Sequence, residues 1–330
     1  MKISILEFTP CADLIYQMRR DPNEGYIAAD ATTLTLGTGA RLRPRLVTTY
    51  AGGKATNVAR VLEKLLTPDD KVEVELIVFR PDSAEGRYIH DLQLRELKRV
   101  HVQPVIIEAE ARFCVNVADT SRASEAHAEF NLSPRCLWRS SGMERALEYS
   151  STVAADLLLL AGNPPVMEET GEMAGDLASR IIEGLRARAS IISLDTGGGA
   201  LANCLKSDGQ PDVIKINESE YTSVDQQLWQ NFRGTLVVTD AAGCRVWENR
   251  ASGSPQRVGA PELTGIYSTV GAGDSMHAGF TLSRWIHEVD CLGAARFGQA
   301  AAAAAVSSPE GTRGVTREAV GRLFSGMTTE

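Results

Sequence analysis

Residues 268–280, STVGAGDSMHAGF, contain the residue types best suited to chemistry. Gly271, Ala272 and Gly273 leave backbone N–H groups uncovered, and Asp274 follows where a helix is predicted to begin at about Gly273. Such a turn at the positive end of a helix predicts a binding site for phosphate or for developing negative charge. Asp274 could cap the helix, or it could take a proton from a hydroxyl group. The second role, beside an anion-binding turn, is what phosphoryl transfer from ATP requires.

A second glycine turn leads into a helix at residues 51–65, AGGKATNVARVLEKL, with Lys54 and Asn57 at its mouth. It is not a Walker A loop, because Lys54 is followed by Ala55 rather than Ser or Thr and the first glycine is missing. Two interpretations remain open. The stretch is either an ordinary turn before a helix or a substrate-binding turn whose lysine holds an anionic or hydroxyl-rich ligand.

Two further stretches follow predicted strands. In IKINESE, residues 214–220, Asn217 and Glu220 have the spacing of a helix capping box. The alternative is a site that orients the water ligands of Mg²⁺ near ATP phosphates. The stretch LDTGGGALA, residues 194–202, contains a GxGxxA pattern, but it lies late in the chain without a well-placed acid after a following strand, which disfavours a dinucleotide site.

The elements that must position these residues alternate between short apolar runs and longer helical patterns. Strands are predicted at 2–8, 72–79, 156–162, 190–195, 212–216 and 235–240. Helices are predicted at 56–66, 84–99, 141–154, 170–188, 274–288 and 292–307. This alternation predicts an α/β fold with a doubly wound, mainly parallel sheet and a site at the carboxyl edge of its strands.

Two stretches interrupt the alternation, at about 12–50 and 102–133. In RFCVNVADT, which begins at Arg112, apolar and polar residues alternate, so Arg112, Cys114 and Asn116 share one face of a strand. We expect these two insertions to form a small β-sheet lid on a single domain that spans residues 1–330.

Composition limits the classes of function. The chain has 330 residues and a net charge of −8, which argues against binding to nucleic acid. It contains no apolar run long enough to span a membrane, and we expect no signal peptide, because MKISILEFTP lacks the apolar length and the cleavage site of one. Its six cysteines form no CxxC pair, so they are expected to be buried or scattered free thiols in a reducing cytoplasm.

Taken together, these motifs resemble those of the PfkB, or ribokinase-like, family of carbohydrate kinases. GGKATNVAR resembles the first signature of that family, STVGAGDSMHAGF resembles the second, and IKINESE resembles a Lys-x-Asn-x-x-Glu region between them. The resemblance implies that Asp274 is the catalytic base and that Gly271, Ala272 and Gly273 form the anion hole. It implies ATP-binding residues Lys215, Asn217, Thr239 and Gly243. It also implies Mg²⁺, with Glu220 acting through water.

Within this family, the chain looks most like the branch of 1-phosphofructokinase and tagatose-6-phosphate kinase. TPCAD, residues 9–13, resembles the Asn-Pro-Ala-x-Asp opening of that branch, and ARFCVNV resembles a lid strand. The implied substrate-binding residues are Asp13, Gly53, Lys54, Asn57, Arg112 and Asn116. Lys54 and Arg112 would hold the phosphate already on the substrate, and a homodimer through the lid is implied as well.

Three positions depart from the family pattern. Thr9 replaces an Asn, Ala55 replaces a Gly of the first signature, and Ala241 stands where a Gly is usual near the nucleotide. We therefore expect an ATP- and Mg²⁺-dependent kinase of a phosphorylated ketohexose. A kinase of an unphosphorylated sugar or nucleoside and a non-catalytic sugar-phosphate-binding protein remain alternatives.

Overall fold

A computed structural model gives the fold of residues 1–18, 27–30, 33–36, 45–119, 127–132, 136–251 and 253–327. It describes side chains for residues 1–14, 48–115, 136–251 and 253–327. Within these ranges, no helix has the length and apolar character that crossing a membrane requires.

The strands, in chain order, are β1 (Lys2–Glu7), β2 (Cys11–Met18), β3 (Ile27–Asp30), β4 (Thr33–Leu36), β5 (Arg45–Gly52), β6 (Glu73–Pro81), β7 (His101–Ile107), β8 (Arg112–Asp119), β9 (His127–Leu132), β10 (Leu137–Trp138), β11 (Ala155–Ala161), β12 (Val166–Met167), β13 (Ala189–Asp195), β14 (Val213–Asn217), β15 (Thr235–Asp240), β16 (Gly243–Trp247) and β17 (Gln256–Gly259). The helices are α1 (Lys54–Leu65), α2 (Ala84–Glu96), α3 (Ser140–Ser150), α4 (Leu177–Leu185), α5 (Gly198–Lys206), α6 (Glu218–Ser223), α7 (Gln226–Asn231), α8 (Ala272–Thr281), α9 (Cys291–Val306) and α10 (Arg317–Gly326). A π-helical turn (Leu282–Ile286) follows α8, and a 3₁₀ turn (Gly311–Gly314) precedes α10.

The large sheet has nine strands in the order β17-β16-β15-β14-β13-β11-β1-β6-β7. Its strands run parallel from β7 to β15, and β16 and β17 are antiparallel additions at one edge. Helices cover both faces of this sheet. Successive side chains along a strand point to opposite faces, so each strand contributes to both cores. In β1 and the residue after it, Ile3 and Ile5 join one core whereas Leu6 and Phe8 join the other. The predicted doubly wound α/β fold is confirmed.

A separate sheet of four strands has the order β5-β2-β8-β9 and is packed on α2. Ala12, Ala51 and Phe113 supply the strand side of that contact, and Ile89 with Leu92 supply the helix side. The predicted insertion at 102–133 begins too early, because β7 pairs in parallel with β6 and belongs to the large sheet. The polar interruptions in HVQPVII made this half-exposed edge strand look like part of the insertion.

A buried arginine in α1 joins the two sheets. Arg60 is 2% exposed; its guanidinium donates to the carbonyl oxygen of Ala51 in β5, to Glu96 of α2 at 2.8 Å and to Thr312 at 3.1 Å. It also donates to the side-chain oxygen of Asn57, one turn earlier in α1. The buried guanidinium of Arg60 therefore fixes the position of α1 relative to the smaller sheet and the orientation of the Asn57 side chain.

We expect Arg60→Met to lower the free energy of unfolding by about 3 kcal/mol, because it leaves Glu96 and several acceptors without their donor. Urea titration followed by circular dichroism measures the change. Arg87→Met is the matched control, since Arg87 is an exposed α2 residue 3.9 Å from Asp82; its cost should stay below about 0.5 kcal/mol. Equal effects of the two substitutions would contradict the structural role of Arg60.

Candidate active site

A cleft of about 580 Å³ lies where the carboxyl edge of the large sheet meets the smaller sheet. Parallel strands bring their carboxyl ends to one edge, which is why residues far apart in the sequence converge here. Most of the predicted site residues line this cleft: Asp13, Gly53, Lys54, Asn57, Arg112, Lys215, Asn217, Glu220, Thr239, Gly271, Gly273 and Asp274. Thr9, Cys11, Cys114, Asn163 and Thr269 line it as well, and the sequence analysis assigned none of them to the site.

Two predicted residues are placed differently, and the side chain of a third lies outside the described residues. Ala272 is the first residue of α8, and its N–H donates to the carbonyl oxygen of Thr269 at 3.2 Å, so this N–H is already used. Gly243 is buried in the β15–β17 region with a φ of 134°; an added Cβ would lie 2.0 Å from the carbonyl oxygen of Val258, which gives this glycine a packing role. Asn116 lies in β8, and its side chain is outside the described residues.

The turn before α8 has the geometry of an anion-binding site. Gly271 is the residue before the helix and has a left-handed backbone with a φ of 79°, which favours glycine. The first N–H of the helical pattern is that of Ser275, bonded to the carbonyl oxygen of Gly271 at 2.9 Å. Among the described residues, none accepts a hydrogen bond from the N–H of Gly273 or Asp274. These two donors at a helix N-terminus can bind an anionic oxygen.

The Asp274 carboxylate stands beside these donors and is 7% exposed. Its Oδ2 accepts a hydrogen bond of 2.8 Å from Nδ2 of Asn57, which joins α8 to α1. Burial and the nearby charge of Asp195 raise the pKa of Asp274 to about 6, against the opposing effects of Lys54, Lys215 and Asn57. Near neutral pH, the group is an ionised carboxylate with a much stronger affinity for a proton than an exposed aspartate has.

A fully buried carboxylate, that of Asp195, forms ion pairs with two lysines of the cleft. Oδ1 of Asp195 lies 2.7 Å from Nζ of Lys54, and Oδ2 lies 2.7 Å from Nζ of Lys215. Burial alone would raise the pKa of Asp195, but Lys215 and Lys54 outweigh this effect and hold it well below its usual range. Burial alone would lower the pKa of Lys54, but the charges of Asp195, Glu220 and Asp274 raise it. Both lysines line the cleft, and their ion pairs with Asp195 place positive charge at its wall.

Asp195 is the main site residue that the sequence analysis missed. It lies in the LDTGGGALA stretch, which was considered only for its glycine pattern, and it is the last residue of β13. The available signal was an acid at the end of a buried apolar strand, followed along the chain by a strand whose last residues include Lys215 and Asn217. The predicted strand forms as β13 and is followed by α5, which was not predicted, and Asp195 binds the lysines of this cleft.

Asn217 and Glu220 form the capping box that the sequence left as one alternative. Asn217 Oδ1 accepts from the N–H of Glu220, and Glu220 Oε2 accepts from the N–H of Asn217, both at 2.9 Å. The other carboxylate oxygen of Glu220 lies 3.6 Å from Nζ of Lys54, and both residues line the cleft. The capping box therefore uses one carboxylate oxygen of Glu220 and leaves the other near the ammonium group of Lys54.

A second buried acid, Glu7, lies beneath the first glycine turn. Its Oε2 accepts from the N–H of Thr56 at 2.9 Å, and a Cβ on Gly53, whose φ is 105°, would lie 2.5 Å from this oxygen. Burial raises the pKa of Glu7 to about 7, and the charge of Asp274 contributes in the same direction. Gly53 is thus required both by its backbone angle and by the close approach of Glu7.

Asp274→Asn tests the cost of burying the carboxylate. Folding raises the pKa of Asp274 from 3.8 to about 6, so the folded state loses stability as the pH rises from about 4 through 6. The amide does not ionise; we therefore expect the variant to be more stable than the parent by about 3 kcal/mol at pH 8, with the difference vanishing near pH 4. Urea titrations at pH 4, 6 and 8 measure this difference, and a pH-independent difference would contradict it.

Comparisons with known proteins identify the family and the fold. The profile of the pfkB family carbohydrate kinase matches residues 25–317, whereas no curated protein sequence matches the chain. Phosphofructokinase-2 of Escherichia coli, solved with potassium, is 20% identical with a TM-score of 0.77, covering 98% of both chains. A possible 1-phosphofructokinase of Thermotoga maritima is 18% identical with a TM-score of 0.73, covering 100% of this chain and 99% of that one.

Ribokinase of Thermotoga maritima has the same fold at 12% identity, with a TM-score of 0.65 and coverage of 98% of this chain and 99% of the other. These structures confirm a ribokinase-like fold over nearly the whole length. The family profile, which matches most of the chain, carries the functional class. The chain belongs to the pfkB family of carbohydrate kinases and is a sugar kinase, a phosphotransferase with an alcohol group as acceptor.

Proposed function

We propose that this chain transfers the γ-phosphate of ATP to a hydroxyl group of a phosphorylated ketohexose, with Asp274 as the base. One observation carries the proposal: Asp274, the free N–H groups at the start of α8, and two lysines held by Asp195 meet in a cleft that also contains Asp13 and Arg112. Asp274, the N–H groups and the lysines suit phosphoryl transfer, whereas Asp13 and Arg112 suit recognition of a sugar phosphate.

In the proposed reaction, the hydroxyl proton moves to the Asp274 carboxylate as the hydroxyl oxygen attacks the γ-phosphorus. The bond between that phosphorus and the bridging oxygen breaks, and ADP leaves with the electron pair. The N–H groups of Gly273 and Asp274 hold the transferred phosphoryl oxygens, and Lys215, whose Nζ would lie 2.6 Å from a Cβ on Gly273, adds positive charge at the same place. The smaller sheet acts as a lid that keeps water from the γ-phosphate.

The nucleotide side offers residues that suit Mg²⁺–ATP. Asn217, Glu220 and Thr239 line the cleft at the ends of β14 and β15, and Glu220 keeps one oxygen directed toward Lys54 rather than toward its own helix. A carboxylate of this kind can accept hydrogen bonds from metal-bound water, as Mg²⁺ prefers. The cation, when bound, neutralises phosphate charge. Ala241 lies in the exposed turn after β15, outside the set of described residues that line the cleft.

The sugar side supports a phosphorylated substrate. Asp13 is 7% exposed and can accept hydrogen bonds from sugar hydroxyls, and Arg112 places a guanidinium on the same wall of the cleft. Lys54 lines the same cleft, so its charge and that of Arg112 can act together on the phosphate of the substrate. Phosphofructokinase-2 of Escherichia coli has been solved with fructose-6-phosphate at 19% identity to this chain, which is consistent with this substrate class.

A panel of acceptors tests the proposed function. Fructose 1-phosphate, tagatose 6-phosphate, fructose 6-phosphate, ribose and adenosine are compared in one coupled assay of ADP formation. Turnover confined to one or more sugar phosphates supports the proposal. Preference for ribose or adenosine favours the alternative kinase, and tight sugar-phosphate binding without ADP release favours a non-catalytic binding protein.

Removing the proposed base should abolish turnover. We expect Asp274→Asn to lower kcat by about 10²- to 10⁴-fold while the dissociation constant for the sugar changes little. In the parent, kcat/KM should fall about tenfold per pH unit below pH 6, because the pKa of Asp274 is raised to about 6 and protonation removes the base.

Glu7→Gln is the control for that profile, since the pKa of Glu7 is about 7 and this group also titrates nearby. The variant keeps an oxygen for the N–H of Thr56. If it loses the acid limb of the profile, that limb belongs to Glu7 and the assignment of Asp274 is overturned.

Arg112→Met separates recognition of a phosphate from the rest of the site. We expect KM for the best sugar phosphate to rise about 10- to 100-fold, because a charge-assisted contact is lost, while kcat stays within a few-fold. Arg139→Met, at an exposed arginine 2.7 Å from Glu168, should leave KM unchanged. An unchanged KM in the Arg112 variant would favour an unphosphorylated substrate.

Two finer expectations accompany this proposal. A homodimer formed through the smaller sheet is tested by light scattering coupled to gel filtration. A cytoplasmic location agrees with the absence of any disulfide among the six cysteines, all of which the structure describes.

A further inference from the structure

Three potential metal ligands meet on the sugar side of the cleft. Cys11 and Asp13 lie in β2, and Cys114 lies beside them in β8. All three side chains are buried and line the cleft. Their ligand atoms lie within 4.8 Å of one another: Sγ of Cys11 is 3.8 Å from Oδ1 of Asp13 and 3.9 Å from Sγ of Cys114. All six cysteines are free and buried, as expected, but Cys11 and Cys114 lie side by side.

The spacing fits a tetrahedral zinc ion. Bonds of about 2.3 Å to sulfur and about 2.0 Å to oxygen at tetrahedral angles separate two sulfurs by about 3.8 Å and a sulfur from an oxygen by about 3.5 Å. The observed separations, 3.9 Å and 3.8 Å, are close to both values. A thiophilic cation would therefore need only small side-chain movements. Its fourth position would face the cleft, because all three residues line it.

A disulfide fits this pair of cysteines less well. Cys11 is in register with Arg112, whereas Cys114 is in register with Asp13, so the two cysteines are diagonal neighbours on paired parallel strands. A strand separation of about 4.8 Å and an offset of two residues place their Cα atoms about 8 Å apart. Disulfides usually join Cα atoms about 4.4–6.8 Å apart, so a bond would require backbone movement.

The local charge also favours a divalent cation with two thiolates. With both thiols protonated, Asp13 and the guanidinium of Arg112 balance each other. Binding of a divalent cation releases two protons and leaves three negative ligands, the cation and Arg112, a set whose formal charge is again zero.

We propose that Cys11, Asp13 and Cys114 form a site for Zn²⁺, and that its occupation blocks binding of the sugar. The second clause rests on the proposed function, because it requires Asp13 to bind the substrate. Mg²⁺ does not compete for this site, since it prefers oxygen ligands and avoids thiolates. The same cleft would then hold Mg²⁺ with ATP at one end and be closed by Zn²⁺ at the other.

Co²⁺ is the probe for the site, because cobalt bound to thiolates has a near-ultraviolet charge-transfer absorption that cobalt bound only to oxygen lacks. The full chain, reduced with a phosphine and supplied with excess Mg²⁺, is titrated with Co²⁺ and then with Zn²⁺. We expect the absorption to saturate near one equivalent and to disappear on addition of Zn²⁺. Absence of the band in the parent protein overturns the proposal.

Variants assign the ligands. Cys11→Ser and Cys114→Ser should each weaken Co²⁺ binding at least about tenfold and lower the absorption per bound ion. Cys136→Ala is the matched control: Cys136 is buried nearby, outside the ligand cluster, and its substitution should preserve the band. A full band in either serine variant overturns the assignment. If a serine variant unfolds, alkylation of the parent replaces it: Zn²⁺ should protect Cys11 and Cys114, and their unchanged labelling overturns the site.

Kinetics test the consequence separately. Micromolar Zn²⁺ should raise the apparent KM for the sugar without lowering kcat, and a zinc-selective chelator should restore the original KM while Mg²⁺ remains in excess. Inhibition that competes with ATP instead would overturn the blocking role. If no acceptor is phosphorylated at all, the proposed function fails, while the cobalt titration still decides whether the metal site exists.

Discussion

The ionised carboxylate of Asp195 is the constraint on which the rest of the cleft depends. It is fully buried, and each of its oxygens lies 2.7 Å from a lysine, one in α1 and one in β14. His277 of α8 completes the surroundings: it lies 4.0 Å from Asp195 and 2.7 Å from Ser193 of the same strand. Burial lowers the pKa of His277 to about 4, so this histidine stays neutral and adds no third cation. Two helices and two strands are thus positioned around one anion.

This arrangement drives two carboxyl groups in one site to opposite behaviour. Asp195 is paired with cations, and its pKa is held far below its usual range. Asp274 is buried near that negative charge, so its pKa rises to about 6 although the hydrogen bond from Asn57 opposes the rise. Neighbouring acids with pKa values pushed apart are typical of acid–base sites. The same lysines that stabilise Asp195 also keep the pKa of Asp274 from rising further, so charge balance and proton affinity are set together.

Local patterns predicted the elements well because they depend on neighbours in the sequence. The second signature indicated the start of α8 to within one residue, and apolar runs located β1, β13, β14 and β15. The partners of Asp195 could not be read in the same way, since Lys54 is 141 residues away from it and Asn57 is 217 residues from Asp274. Those contacts follow from the strand order, which only the complete sheet determines. The lid boundary failed for the same reason: pairing with β6 assigns β7 to the large sheet.

The departures from the family pattern divide the cleft by role. Ala55 replaces a glycine, but it lies in the first turn of α1 with its side chain fully buried in the core, so the glycine turn at Gly53 is left intact. Thr9, by contrast, lines the cleft together with Cys11, and both flank the segment that leads to Asp13. The residues around Asp274 and Asp195 keep their donors, cations and acid, whereas Thr9 changes a side chain in the part of the cleft that also contains Asp13 and Arg112. Under the proposed function Asp13 and Arg112 bind the sugar, so a changed side chain in that part would affect the choice of substrate, while phosphoryl transfer depends on Asp274 and the start of α8.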